Sequence, residues 1–218
     1  MRNPFGCCTF ATMNLPSKWM EEAVDQMASL PGIGKKTALR LVLSMMKKSE
    51  DETQRFSDAF VNLKANVKAC NNCHNLSDSD ICSICSNPKR DAGVICVVED
   101  IRDVMAIEAT GEYVGHYHVL GGIISPMDGI APADLNIETL VQRAQDDECR
   151  EIIFALSTTM EGETTSFFLS RKLKESNVQL SIIARGVSIG DELQYADEVT
   201  LARSIHHRMP YENSMNRK

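Results

Sequence analysis

Cys70-Asn71-Asn72-Cys73-His74-Asn75-Leu76-Ser77-Asp78-Ser79-Asp80-Ile81-Cys82-Ser83-Ile84-Cys85 carries two Cys-x-x-Cys pairs separated by eight residues. Each pair sets two thiolates on one tight turn, and two such turns facing one another supply the four soft ligands that a tetrahedral zinc ion prefers. All four ligand positions are filled by cysteine, which leaves no place for a reacting water, so the metal is expected to be structural. Its binding is worth on the order of 10 kcal/mol to a segment of this kind, whose apolar residues, Leu76, Ile81 and Ile84, are too few to make a core. Four free thiols or two disulfides are the competing account, and His74 is a weaker alternative ligand; the ligand spacing favours zinc on Cys70, Cys73, Cys82 and Cys85. The segments on either side of this knot follow different periodicities, and they divide the chain.

Upstream, residues 16–69 read as helical. Ser17 stands where it can cap a helix in which Trp19, Ala23, Met27 and Leu30 recur at helical spacing, and Pro31-Gly32 ends it. Leu30-Pro31-Gly32-Ile33-Gly34-Lys35-Lys36-Thr37-Ala38 then opens a second helix. Its two glycines let the backbone come close to another molecule, and the amides of the new helix N-terminus point outward as phosphate donors. Lys35, Lys36 and Arg40 follow, the last two sharing one face at a spacing of four. Between Pro31 and Ser49 there are five basic residues, Lys35, Lys36, Arg40, Lys47 and Lys48, and no acid. The pattern resembles a helix-hairpin-helix, a module that grips DNA phosphates without reading bases. A solvated basic face, or a hairpin that holds another subunit, would use the same residues. Phe56, Phe60, Leu63 and Val67 mark a third amphipathic helix leading to the cysteines.

Downstream, the period changes. Gly93 to Val98 is a continuous apolar run, as expected of a strand buried on both faces. Strands are expected also at 117–120, 152–156 and 178–184, with helices at 137–148 and 164–175 between the later ones. Alternating strands and helices predict an α/β domain with a largely parallel sheet and helices on both faces. Ligands of such sheets collect beyond the carboxyl ends of the strands. Glu99 with Asp103, and Glu161 with Glu163, stand there as acids that can hold magnesium for phosphoryl chemistry or simply face solvent.

Composition bounds the function. A chain of 218 residues with 43% hydrophobic content can build an ample domain with small attachments and needs no disulfides. No apolar run approaches the roughly 20 residues of a membrane span, and the start is too weak for a signal peptide, so a cytoplasmic address is expected. Cys7, Cys8, Cys96 and Cys149 are then ordinary free thiols, and residues 1–14 read as a disordered extension. The net charge of −7 excludes a protein that coats nucleic acid with its whole surface; only a local basic face remains for that role.

Several motifs occur together in unbroken order over roughly residues 15–210. They are the Leu30–Ala38 hairpin, the four cysteines, Val98-Glu99-Asp100 with Arg102-Asp103, Thr110-Gly111-Glu112-Tyr113 and Tyr117 to Pro126. Glu161-Gly162-Glu163-Thr164, Ala184-Arg185-Gly186 and Tyr195 to Leu201 complete the set. Together they are similar to the bacterial recombination-mediator family RecR. The resemblance implies a helix-hairpin-helix over 15–69, a zinc finger over 70–88, a Toprim domain over 89–184 and a C-terminal arm and tail over 185–218. It further implies a homo-oligomeric ring, a tetramer, around DNA, acting with RecO and RecF to load recombinase at gaps or stalled forks. Lys35, Lys36 and Arg40 would be its DNA contacts. Toprim enzymes need a strand-end Glu and a later Asp-x-Asp. Glu99 fits the first, but Ser157-Thr158-Thr159-Met160-Glu161 follows the later strand, with Ser157-Thr158 where relatives have Asn-Pro. The sole Asp-x-Asp, Asp78-Ser79-Asp80, lies between the cysteine pairs. A non-enzymatic clamp is therefore expected, with Glu99, Asp103, Glu161 and Glu163 as partner-facing or vestigial acids. A magnesium-dependent Toprim phosphotransferase or nuclease is the alternative.

Overall fold

The computed structural model describes residues 15–188, 190, 192–208 and 210. The extension expected over residues 1–14, with Cys7 and Cys8, and the end of the tail, 211–218, lie outside the described residues. The chain divides into two compact units, one ending at Asn66 and the other beginning at Val67.

The first unit holds three helices, α1 (Lys18–Ala28), α2 (Lys35–Met45) and α3 (Glu50–Asn66). α1 and α2 pack through Val24, Ala38 and Val42, with Met20, Met27, Ile33 and Leu39 around them. The expected stripe of α1 is thus displaced. Ala23 and Met27 join the contact, but Trp19 is 77% exposed and Leu30 50%. Met20, Val24 and Met27 form the buried line, Trp19 sits one position off it, and Leu30 lies past the helix end at Ala28. Ser17 occupies the N-cap position, yet its side chain accepts no hydrogen bond; its carbonyl takes the Glu21 N–H at 3.0 Å. Ser49 and Glu52 start α3 as a reciprocal cap, each side chain accepting from the other's amide at 3.0–3.3 Å. Phe56, Phe60 and Leu63 lie along α3 at the expected spacing and remain exposed in the single chain, whereas Val67, expected on the same helix, lies just past its end at Asn66.

The second unit begins with a two-stranded antiparallel ribbon, β1 (Lys68–Ala69) and β2 (Leu76–Ser77), that frames the first cysteine pair. It continues through β3 (Asp91–Val98), α4 (Ile101–Glu108), β4 (Gly115–Val119), α5 (Ile137–Arg143), β5 (Glu151–Ala155), α6 (Met160–Lys172), β6 (Gln179–Ile182) and α7 (Glu198–His206). Strands β3 to β6 form one sheet in the order β4-β3-β5-β6, all parallel.

The period of two along β3 explains the layers. Ile95 and Val97 face a core shared with Ile152, Phe154, Ile137, Leu140, Leu169 and Leu173, which brings α5 and α6 to one side. Cys96 and Val98 face Tyr117, Val119, Ala155 and Val104, which brings α4 to the other. A strand covered twice must be apolar throughout, which is why Gly93 to Val98 is a continuous run. The four strands fall within two residues of their expected ends. The helix expected over 137–148 stops at Arg143 instead, because Asp146, Asp147 and Glu148 are acids at a helix C-terminus, where the dipole disfavours negative charge; the Cys149 amide turns back to the Asp146 carbonyl at 2.9 Å. α6 starts earlier than expected, at Met160, because Thr159 caps it by accepting from the Gly162 amide at 3.2 Å.

Candidate metal centre and nucleic-acid interface

The turn between α1 and α2 owes its shape to Gly32, whose φ of +80° is open to glycine and strained for other residues. Gly34 has an ordinary φ of −77° and caps α2; a Cβ there would point into open space. Its smallness is therefore not required by any contact among the described residues. Among the five basic residues of this stretch, Lys35 is 3.2 Å from Asp25 of α1 in an exposed ion pair. Lys36, Arg40 and Lys47 instead line one shallow groove with Leu39, Leu43 and Ser44. None of the three has a carboxylate within 4.0 Å among the described residues. A spacing of four sets Lys36 and Arg40 on one face of α2, and Lys47 joins them in the groove from the turn that follows the helix. Lys47 belongs to the basic stretch of the sequence, but no helical spacing points to it; the turn after α2 brings it to the groove.

The cysteines converge. Among the described residues they are the one group of three or more Cys, His, Asp or Glu side chains whose ligand atoms lie within 4.8 Å of one another. The Cys73 and Cys82 sulfurs are 3.5 Å apart, close to the roughly 3.8 Å edge of a tetrahedron with zinc–sulfur bonds of about 2.3 Å. Backbone amides aim at the sulfurs, Cys82 N–H at the Cys70 Sγ (3.3 Å) and Cys85 N–H at the Cys82 Sγ (3.4 Å). Burial disfavours the Cys70 thiolate, but the amides of Cys82, Cys73 and Asn72 outweigh it and bring its pKa down to about 7. The Cys85 sulfur and burial push Cys73 up. Four packed sulfurs cannot all ionise against one another, and a dication removes that conflict, so the donor set fits zinc. His74 is not part of it. It takes the left-handed conformation (φ 61°) and places Nε2 2.8 Å from the Thr139 hydroxyl of α5.

The knuckle is fastened to the sheet. β4 is an edge strand, and its Val119 amide donates to the Cys73 carbonyl at 2.8 Å. Ile84 from the second pair packs against the α4 side of the sheet as well as against the cysteines.

The four acids of the sheet end take separate roles. Glu99 follows β3 directly, and burial, then Asp103 and Asp100, raise its pKa against the pull of Arg102. Asp103 is turned back on its own backbone, accepting from the Glu99 and Asp100 amides, each at 3.1 Å, to cap α4. Glu163 accepts from Arg185 at 2.8 Å and pairs with Arg203 at 2.9 Å, tying α7 and the segment before it to α6. Glu161 lies half-buried in the first turn of α6. No three of these carboxylates gather into a group of metal-ligand dimensions.

Four family models match in sequence order. They are the RecR helix-hairpin-helix over residues 20–64, the RecR four-cysteine zinc finger domain over 67–87, the Toprim domain over 93–184 and the RecR C-terminal region over 186–209. Zinc is thus the cofactor of the cysteine cluster. The chain is 60% identical to Recombination protein RecR of Phocaeicola vulgatus, over 88% of this chain and 94% of that one. It is 55% identical to the proteins of the same name from Porphyromonas gingivalis, over 92% and 97%, and Flavobacterium johnsoniae, over 93% and 98%. Identity at this level over nearly the whole of each chain, with the four family domains in order, places this chain in the RecR family of recombination proteins.

Proposed function

We propose that the chain is a non-enzymatic DNA clamp and scaffold of recombinational repair. The observation that carries this is the groove of Lys36, Arg40 and Lys47, three cations from α2 and the turn after it that have no carboxylate partner among the described residues of an otherwise acidic protein. Such a face neutralises phosphates, and phosphate contacts carry no base information, so binding would depend little on sequence. A single groove is small, and repetition by symmetry multiplies it. The exposed Phe56, Phe60 and Leu63 of α3 supply apolar surface for self-association and support a homo-oligomeric ring, a tetramer. Within it, residues 15–69 would grip DNA, 70–88 hold zinc, 89–184 form the scaffold and 185–218 supply the arm. RecO and RecF would be its protein partners, with Glu99 as the acid free to meet one of them and Lys35 as an auxiliary DNA contact. The work belongs in the cytoplasm, and no described helix is long and apolar enough to cross a membrane.

Binding of the purified chain to two duplexes of unrelated sequence, followed by fluorescence anisotropy, tests this reading. Equal affinities, with no strand cleavage or nucleotide transfer on adding magnesium, are expected. Turnover in magnesium that disappears in Glu99→Gln would replace the clamp by a Toprim phosphotransferase or nuclease.

A further inference from the structure

Arg143 is the last residue of α5 and is half-buried. Its Nη1 donates to the Tyr117 carbonyl at 2.7 Å and lies 3.2 Å from His118 Nδ1. The other His118 nitrogen donates to the Asn136 carbonyl at 2.7 Å, and burial lowers the imidazole pKa to about 3. His118 is therefore neutral, with Nδ1 free to accept. Both partners of the guanidinium are uncharged. Asp146 and Glu148 line the same small cavity, but neither has an oxygen within 4.0 Å, and no other described carboxylate does. A half-buried cation held only by neutral acceptors keeps its charge to be balanced elsewhere.

The zinc site needs the opposite. Four thiolates around a dication sum to a charge of −2, and three of the four cysteines are buried. α5 points at this site. Thr139, one turn before Arg143 on the same helix face, meets His74 beside Cys73, and Asn72 from the first pair lines the cavity that Arg143 also lines. Burial lowers the pKa of the guanidinium, and the sulfurs of Cys85, Cys73, Cys149 and Cys70 work against that loss.

We propose that Arg143 is the cation that balances the zinc tetrathiolate, so that the metal is held in part by a residue of the α/β domain. Arg143 touches no sulfur of the described residues within hydrogen-bonding distance; it is a positioning and charge-balancing residue. Partners of this outer kind typically change metal affinity 10- to 100-fold. The consequence is that zinc occupancy and the docking of the knuckle on β4 are coupled through one side chain.

Zinc affinity of the full-length chain, measured by competition with a chromogenic chelator, tests the proposal in Arg143→Gln, Arg143→Met and Arg143→Lys. Two neutral replacements are used so that misfolding of one, judged by circular dichroism, leaves the other to decide. The neutral variants should lose about 10- to 100-fold in affinity while their cobalt forms keep a tetrathiolate absorption spectrum, and Arg143→Lys should stay within about threefold of the parent. Wild-type affinity in a folded neutral variant would overturn the proposal. So would an equal loss in Arg143→Lys and Arg143→Gln, because geometry rather than charge would then be at work.

Discussion

Replacing Lys36, Arg40 and Lys47 together by alanine should reduce the salt dependence of DNA binding by an amount the structure sets in advance. The three cations share one groove and lack carboxylate partners among the described residues, so each is available to a phosphate. On duplex DNA each neutralised phosphate contributes about 0.9 to the slope of log affinity against log salt. The triple variant should therefore lose about 2.7 from the magnitude of that slope for every subunit engaged. Between 50 and 200 mM salt one such contact costs about 3.5-fold in affinity and three cost about 40-fold, a penalty the wild type suffers and the variant escapes. Lys35 should behave differently. Its ion pair with Asp25 is exposed on both sides and worth less than about 1 kcal/mol, but it places a negative charge beside the groove. Lys35→Ala should thus change the slope less than Lys36→Ala, and Asp25→Asn should tighten binding. Anisotropy titrations at several salt concentrations read all of these, with light scattering to show that the oligomer is unchanged. An unaltered slope and affinity in the triple variant, with assembly intact, would refute the assignment of this face to DNA.

Cys70→Ser removes one zinc ligand and should abolish stoichiometric metal, measured by elemental analysis, and lower the thermal midpoint, since metal binding of this kind is worth on the order of 10 kcal/mol. Gly162→Ala should destabilise by about 1–3 kcal/mol in a urea titration, because a Cβ would lie 2.0 Å from the Ser157 carbonyl oxygen, a backbone atom that cannot step aside. The Glu163 carboxyl is held below its ordinary value of 4.5 by Arg185 first and Arg203 second. A depressed carboxylate stabilises the folded form above the unfolded pKa and ceases to as pH falls through the folded one. The anchoring of α7 should therefore be constant above about pH 5 and weaken in acid. Hydrogen exchange of residues 198–206 checks this, and Glu163→Gln should remove the pH dependence.

Spacing, period and motif order were enough for much of this protein. Two Cys-x-x-Cys pairs named the metal, because ligand geometry constrains sequence at close range. The apolar run of β3 and the alternation after it announced a parallel sheet covered on both faces, and Lys36 with Arg40 declared a shared face through helical spacing alone. What the sequence could not decide are the contacts made between distant segments. The stripe of α1 buries Val24 and leaves Trp19 exposed, which depends on where α2 lies. Asp103 and Glu163 look like strand-end acids in the chain, but one caps its own helix and the other pairs with two arginines from residues 22 and 40 positions away. Lys35 is drawn from the basic cluster by Asp25, an acid on the preceding helix. Nor does any local pattern join Arg143 to the cysteine segment; the register of β4 and the packing of α5 bring it to His118 and to the cavity that Asn72 also lines. Local geometry is written in residue spacing, whereas the fate of a charge depends on which other charges folding carries to it.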